Sequence, residues 1–340
     1  MSNNAKPVRV SCLGFVFDPF AQEAIRSIVP PGVELTFCEK NTGIPENLYA
    51  DADVLVVVAA ITEDMLAHAP HVRFIQKWGT GYDKIDLDAA ARRGIPVAIT
   101  AGANAETIAE HAVTLMLATS RHLSMADRAL REGRWIPSEL RPISHRVRGK
   151  TVGIIGMGNI GRAVARMLKG FDVEILYTKR SGPLSEDKAE GGRFVELPEL
   201  LERSDIVSLH MPGGAANRNL LDAAALARMK RGAILINVAR GELVDEVALL
   251  KALQNGQLAG AGLDVFAQEP LPAGSPLCDL PNVVLTPHSA GSVSEDVGMM
   301  AAHAFRNVAA FLEGRPLPAA DVIVDPQAEP WRSKRLQNAR

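Results

Sequence analysis

Apolar residues along this chain gather into short unbroken runs, and between the runs they recur at helical spacing. From Val8 to Thr100 the runs are VRVSCLGFVF, VELTFCE, DVLVVVAA, RFIQKW and IPVAIT, with PFAQEAIRSIV and LDAAARRG among the helical stretches. A parallel strand is covered on both faces, so it shows a continuous apolar run rather than an alternation, and runs alternating with helices predict βα units. The pattern restarts at Thr151 with TVGIIG, VEILYT, DIVSLHMP, GAILINVA, LAGAGLDVF and NVVLTPH, separated by helices such as IGRAVARMLKG and VDEVALLKALQNGQL. Two longer helical patterns join the sets. One runs from Asn104 through Ala118, with Ile108, Val113, Leu115 and Leu117 on its apolar stripe, and continues to about residue 131. The other follows His288: Ser292 and Glu295 have the spacing of a capping box, and Val297, Met300, Ala301, Ala304, Phe305, Val308, Phe311 and Leu312 then repeat at helical intervals.

A length of 340 residues suits two such domains. With 47% apolar and 22% charged residues the composition is that of a globular protein, and a net charge of -2 offers no general attraction for nucleic acid or an anionic membrane, although a local positive site can still hold a small anion. The run Val54 to Ile61 is far shorter than the roughly 20 residues that span a bilayer. An N-terminal apolar stretch, Cys12 to Phe17, is closed by Asp18 without a cleavage site, and a cytoplasmic location is expected. Cys12, Cys38 and Cys278 fit neither a disulfide framework nor a metal-ligand spacing, and are expected to be buried and inert, with no metal bound.

The most specific motif stands where the second alternation begins. Gly156, Gly158 and Gly161 in GMGNIG follow the apolar stretch Thr151 to Ile155 and open a helical pattern. The first glycine permits a tight turn, the second admits backbone close to a pyrophosphate, and the third lets helix and strand pack, which is the dinucleotide fingerprint. At the end of the next strand an NAD site would carry an acid for the ribose hydroxyls; here stand Thr178, Lys179, Arg180 and Ser181, two cations and two hydroxyls suited to a 2'-phosphate. NADP(H) is therefore the expected cofactor, with NAD(H) the alternative.

Arg240, Glu269 and His288 follow three successive strand candidates, where open parallel sheets bind their ligands. A guanidinium can grip a carboxylate through two parallel hydrogen bonds and polarise an adjacent carbonyl, and an imidazole can pass a proton in either direction near neutral pH. A carboxylate beside that imidazole orients the ring and stabilises the charge it acquires. Together they suit hydride exchange at C2 of a 2-oxo or 2-hydroxy acid.

Around these residues INVARGELVDEVALLKAL, GAGLDVFAQEPL and NVVLTPHSAG resemble the signature segments of the D-2-hydroxyacid dehydrogenases, as do GTGYDKIDLDAA and GKTVGIIGMGNIGRAVA, over most of residues 70 to 315. The resemblance implies a flavodoxin-like substrate domain, 1–102 with 290–325, interrupted by a Rossmann cofactor domain, 103–289, with the site in the cleft between them and a tail from 326 to 340 that holds Trp331, Arg332, Lys334 and Arg335. It implies that Arg240 binds substrate, that His288 is the acid/base paired with Glu269, and that the amides of Thr80 and Gly81 receive the substrate carboxylate, with Lys77, Trp78 and Gly79 close by. It places Thr107, Asn159, Ile160, His210, Pro212, Val238, Ala239, Arg240, Asp264 and His288 beside the cofactor and implies a homodimer. The segment around Lys179 is similar to NADP-using glyoxylate and hydroxypyruvate reductases of the family. The same scaffold also suits a phosphoglycerate, formate or phosphite dehydrogenase, or a dinucleotide-sensing corepressor. His111 and His303 are expected to be packing or surface residues, and Trp135 to be either core or a reach toward a neighbouring subunit.

Overall fold

The computed structural model describes residues 6–14, 19–40 and 42–328; Phe17, Asp18 and the tail residues Trp331, Arg332, Lys334 and Arg335 lie outside them. The chain divides into two units, Met1–Asn104 with Val293–Arg340, and Ala105–Ser292.

In the first unit β1 (Val8–Leu13), β2 (Val33–Cys38), β3 (Val54–Val57), β4 (Phe74–Lys77) and β5 (Val97–Ala98) are parallel and lie in the order 2-1-3-4-5, the flavodoxin-like arrangement. The strands β3 and β4 are buried at every position, which is why their sequences are unbroken apolar runs. The long helix Ser294–Leu312 covers this sheet through Met300, Ala301, Ala304, Phe305 and Val308, and Phe311 stacks on Phe74 with ring centres 4.7 Å apart.

A buried polar cluster ties that helix to the sheet. Asn307 donates from Nδ2 toward Gln76 Oε1 (3.1 Å) and Asp321 Oδ2 (3.1 Å), His303 Nε2 lies 2.7 Å from the same carboxylate oxygen, and Asp321 Oδ1 accepts from the Ala101 amide at 3.0 Å. His303, expected to do no more than pack, is thus an ion-pair partner of the buried Asp321.

The second unit carries β6 (Thr151–Ile155), β7 (Glu174–Thr178), β8 (Arg193–Phe194), β9 (Ile206–Leu209), β10 (Ala233–Asn237), β11 (Leu258–Leu263) and β12 (Val283–Leu285). All are parallel, in the order β8-β7-β6-β9-β10-β11-β12, a Rossmann sheet whose strand order reverses between β6 and β9. Asp222 and Asp245 cap the helices Ala223–Arg228 and Glu246–Gln254 by accepting the amides of Ala225 and Ala248. The first unit then closes with β13 (Val322–Val324), antiparallel to β5 at the sheet edge.

Several expectations need correction. The helix expected to reach residue 131 is two, Ala105–Ser120 and Leu123–Arg131, parted at His122, whose left-handed backbone (φ 50°) cannot continue an α-helix. The capping box fails because the last helix starts at Ser294: Val293 is its N-cap, and the Ser292 amide is used by the Ser289 carbonyl. Leu117 is 36% exposed rather than turned inward. Cys12 and Cys38 are buried, and burial pushes the Cys12 thiol up to about 12, but Cys278 is exposed, because its 3-10 turn sends Leu277 into the core instead. No helix among the described residues is long and apolar enough to cross a membrane.

Candidate active site

Each glycine of the motif has a separate reason to be there. Gly156 sits at φ +100° with its amide bonded to the Thr178 carbonyl at 2.9 Å, and a Cβ there would fall 2.5 Å from the His210 carbonyl oxygen. At Gly161 a Cβ would lie 2.2 Å from the Gly156 carbonyl oxygen, so helix Asn159–Leu168 can start this close to the turn only without one. A Cβ on Gly158, the N-cap, would meet nothing within 4 Å, which leaves open space above the helix start, and the first turn, which begins with Asn159 and Ile160, carries no acidic side chain. That cradle fits a dinucleotide pyrophosphate.

Lys179, Arg180 and Ser181 turn back through the Gly182 amide, which donates to the Lys179 carbonyl at 3.1 Å. The Gly156 to Thr178 bond fixes this turn beside the glycine loop, and neither cation has a carboxylate partner among the described residues. His210 is buried with Nε2 2.8 Å from Ser208 Oγ, and burial drives its imidazole down to about 3, so it is neutral and lines the turn rather than exchanging protons. Val238 and Ala239 are buried at the end of β10, Pro212 is exposed after β9, and Thr107 is half-buried in the first turn of helix Ala105–Ser120.

The chemistry-bearing residues stand beyond β10, β11 and β12. Asn237 shapes the first loop, donating to the Arg240 carbonyl (2.9 Å) and accepting the Ala239 amide (3.0 Å), and Arg240 Nη1 donates to the Ala239 carbonyl at 2.6 Å. A Cβ on Gly241 would lie 1.9 Å from the Phe266 carbonyl carbon, so this loop presses on the Phe266 backbone, whose amide donates to Glu269 Oε1 at 3.2 Å. The other Glu269 oxygen, Oε2, lies 2.8 Å from His288 Nδ1. Glu269 is the more sheltered partner, with 25% of its side chain exposed against 48% for His288, so the ring keeps an open side while its Nδ1 is held.

His288 adopts φ 52°, an uncommon conformation for a non-glycine residue. Its turn is held by Asp264, whose carbonyl accepts the His288 amide (2.8 Å) while Oδ1 accepts the Ser289 amide (2.8 Å) and Thr286 Oγ1 (2.6 Å), and Oδ2 the Ala290 amide (3.0 Å). The resemblance places Asp264 beside the cofactor; in the fold both of its oxygens also accept hydrogen bonds from the chain itself. His111 Nε2 reaches the same cluster, 2.9 Å from Thr286 Oγ1 and 3.5 Å from Asp264 Oδ1, although simple packing was expected of it. Burial by itself would raise the Asp264 pKa, but the bonds from His111, Thr286 and the two amides outweigh it and hold the carboxyl below the usual carboxylate range.

In the first unit the segment after β4 is set by Lys77, buried, with Nζ 2.7 Å from the Trp78 carbonyl and 3.3 Å from that of Val57. Gly79 (φ +99°) exchanges bonds with Thr100, and the half-buried amides of Thr80 and Gly81 have no acceptor among the described residues. Two adjacent unpaired amides are suited to a carboxylate.

A Rossmann sheet with this glycine turn and an Arg, Glu and His beyond its adjacent strands defines a nicotinamide-dinucleotide oxidoreductase. Residues 113–290 match the model of the D-isomer specific 2-hydroxyacid dehydrogenase, NAD binding domain. The chain is 43% identical over 270 residues to a glyoxylate reductase of Korarchaeum cryptofilum, covering 79% of this chain and 81% of that one. It is 35% identical over 323 residues to a D-3-phosphoglycerate dehydrogenase of Archaeoglobus fulgidus, 93% of this chain but 60% of that protein. An NAD-dependent formate dehydrogenase from Staphylococcus aureus, solved with NAD, superposes with a TM-score of 0.83 at 28% identity, covering 93% of this chain and 99% of that one. The chain belongs to the D-isomer-specific 2-hydroxyacid dehydrogenases.

The depressed Asp264 carboxyl has a consequence for stability. A carboxyl whose pKa falls on folding stabilises the fold above its unfolded value, about 3.9, and loses that contribution as pH drops through the lower folded value. The unfolding midpoint should therefore fall less between about pH 6 and pH 3 in Asp264→Asn than in the parent, as thermal scans would record; parallel pH profiles would show that the carboxylate is not stabilised by this cluster.

Proposed function

We propose that the chain reduces small 2-oxo acids, glyoxylate and hydroxypyruvate above all, to D-2-hydroxy acids with NADPH, as a cytoplasmic homodimer. The reading is carried by the 2.8 Å contact between His288 Nδ1 and Glu269 Oε2, at the end of the sheet that holds the dinucleotide turn. A carbonyl reduced at C2 becomes an alkoxide and needs one proton; oxidation of formate to carbon dioxide produces no alkoxide. An acid/base pair is thus useful to the first reaction and idle in the second.

In the proposed mechanism Arg240 grips the substrate carboxylate and polarises the carbonyl beside it. The reduced nicotinamide supplies the hydride when bound. His288, held at Nδ1 by Glu269, gives a proton from Nε2 to the new alkoxide oxygen, and in the reverse direction takes it back. Glu269 stabilises the imidazolium and fixes the face of the ring that meets substrate. Gly156, Gly158 and Gly161 with Asn159 and Ile160 cradle the pyrophosphate, and Lys179, Arg180 and Ser181 pair with the 2'-phosphate. The free thiols of Cys12, Cys38 and Cys278 suit a reducing compartment.

Arg240→Ala should cost about 3 to 5 kcal/mol of transition-state stabilisation, hence at least about a hundredfold in kcat/KM, with dinucleotide affinity kept. Arg240→Lys should also be poor, because a point charge cannot reproduce the two-pronged grip. Steady-state kinetics decide this: more than about a tenth of parental efficiency in the alanine variant removes Arg240 from the substrate.

Charge-assisted hydrogen bonds contribute about 1.5 to 3 kcal/mol, and exposure of Arg180 and Ser181 pulls that to the lower end, which implies about a 10- to 100-fold preference for NADPH. Lys179→Asp combined with Arg180→Ala should erase it and leave kcat with saturating NADH unchanged. A parent protein that uses NADH as well as NADPH at low salt would return these residues to a solvated turn.

The dimer reading is supported by exposed apolar side chains along 117–135: Leu117 at 36%, Leu123 at 59%, Leu130 at 60% and Trp135 at 81%. Leu123 and Leu130 stand two turns apart on one helix face, and a run of large apolar groups in water marks an association surface. Trp135 is therefore not a core residue. Light scattering at micromolar concentration should give twice the chain mass of 36.4 kDa; the single-chain mass would refute the dimer.

A further inference from the structure

Two glycines in β11 determine what lies behind the proposed acid/base. A Cβ at Gly260 would fall 2.7 Å from Thr119 Cγ2, and one at Gly262 would fall 2.9 Å from Leu115 Cβ, so helix Ala105–Ser120 lies directly on the backbone of β11. That close approach delivers His111, two turns before Ala118 on the same helix, to the end of β12. Its Nε2 is 2.9 Å from Thr286 Oγ1 and 3.5 Å from Asp264 Oδ1, with 21% of the side chain exposed.

The proton positions follow from counting donors. Thr286 has one hydroxyl hydrogen, and at 2.6 Å it goes to Asp264 Oδ1, which as a carboxylate oxygen can only accept. Thr286 Oγ1 is then the acceptor toward His111, which must carry its hydrogen on Nε2. The chain of donation runs from His111 to Thr286 to Asp264, and Asp264 in turn holds the amides of Ser289 and Ala290 through its carboxylate and that of His288 through its carbonyl. A left-handed backbone is unfavourable for a non-glycine residue and persists only where its surroundings over-determine it.

We propose that His111 is a positioning residue for the proposed reaction: acting through Thr286 and Asp264, it holds the 286–290 turn in the conformation that presents His288. This rests on the acid/base reading of His288. His111 meets neither reacting atoms nor cofactor in the proposal, so its loss should lower turnover without weakening ligand binding.

The test uses the full-length chain and variants His111→Ala, His111→Gln, Thr286→Val and the double variant His111→Ala/Thr286→Val. Displacement of a catalytic group by a fraction of an ångström costs about ten- to a hundredfold, so kcat should fall by that factor in each of the two single truncations while KM for the 2-oxo acid and dinucleotide affinity stay within about twofold. His111→Gln retains an amide donor and should recover most of the loss. Because His111 and Thr286 act in series, the double variant should be no slower than the worse single one. Hydrogen exchange of the segment spanning Ser289 and Ala290 should quicken in both single truncations. An unchanged kcat in His111→Ala, a glutamine variant as slow as alanine, or additive losses would overturn the proposal. If the parent turns over no 2-oxo acid, the function reading fails, and hydrogen exchange alone decides for His111: quicker exchange supports the link and unchanged exchange refutes it.

Discussion

The site depends on one buried carboxylate. Asp264 directly follows β11 and spends both side-chain oxygens and its carbonyl on the turn after β12, so the amides of His288, Ser289 and Ala290 and the Thr286 hydroxyl are all held around the residue that adopts the unfavourable conformation. Charged acceptors form hydrogen bonds about twice as strong as neutral ones, and in a buried setting they are little screened. Without that anchor a left-handed histidine would relax toward a commoner conformation and its Nδ1 would leave Glu269. The sheet makes the anchor available: with β10, β11 and β12 adjacent and parallel, the loops bearing Arg240, Glu269 and His288 must all emerge at the same end.

The cofactor turn belongs to the same edge. Strand order reverses between β6 and β9, and the loops leaving those two strands diverge there, which opens the crevice where open α/β sheets bind ligands. Gly156 after β6 and His210 after β9 touch backbone to backbone at this point, and the Gly156 amide is bonded to the end of β7, which bears the Lys179 turn. The glycine cradle, the Lys179 turn and the loop bearing His288 are thus consequences of one strand order rather than separate inventions.

Much of this was legible in the sequence, because parallel strands buried on both faces write themselves as apolar runs and because GMGNIG, Arg240, Glu269 and His288 occupy strand ends. What was not legible has physical reasons. β8 and β13 are two and three residues long, too short to show any period. The break at His122 lies in backbone dihedrals that a helical pattern does not encode, and the capping box at Ser292 had the right residue types one position too early for the helix that forms. His111 and His303 read as packing residues since their partners, Thr286 and Asp321, stand 175 and 18 positions away and meet them only in the folded chain. The signal for His111 was the glycine pair in LAGAGLDVF, which announces a helix lying on bare strand backbone.

Product stereochemistry tests the central claim most directly. Purified protein would be given hydroxypyruvate with NADPH, the loss of reduced nicotinamide absorbance followed, and the glycerate formed separated by chiral chromatography. The account predicts turnover to the D-enantiomer. Formation of the L-enantiomer, or dinucleotide binding with no turnover of this or any other small 2-oxo acid, would contradict it.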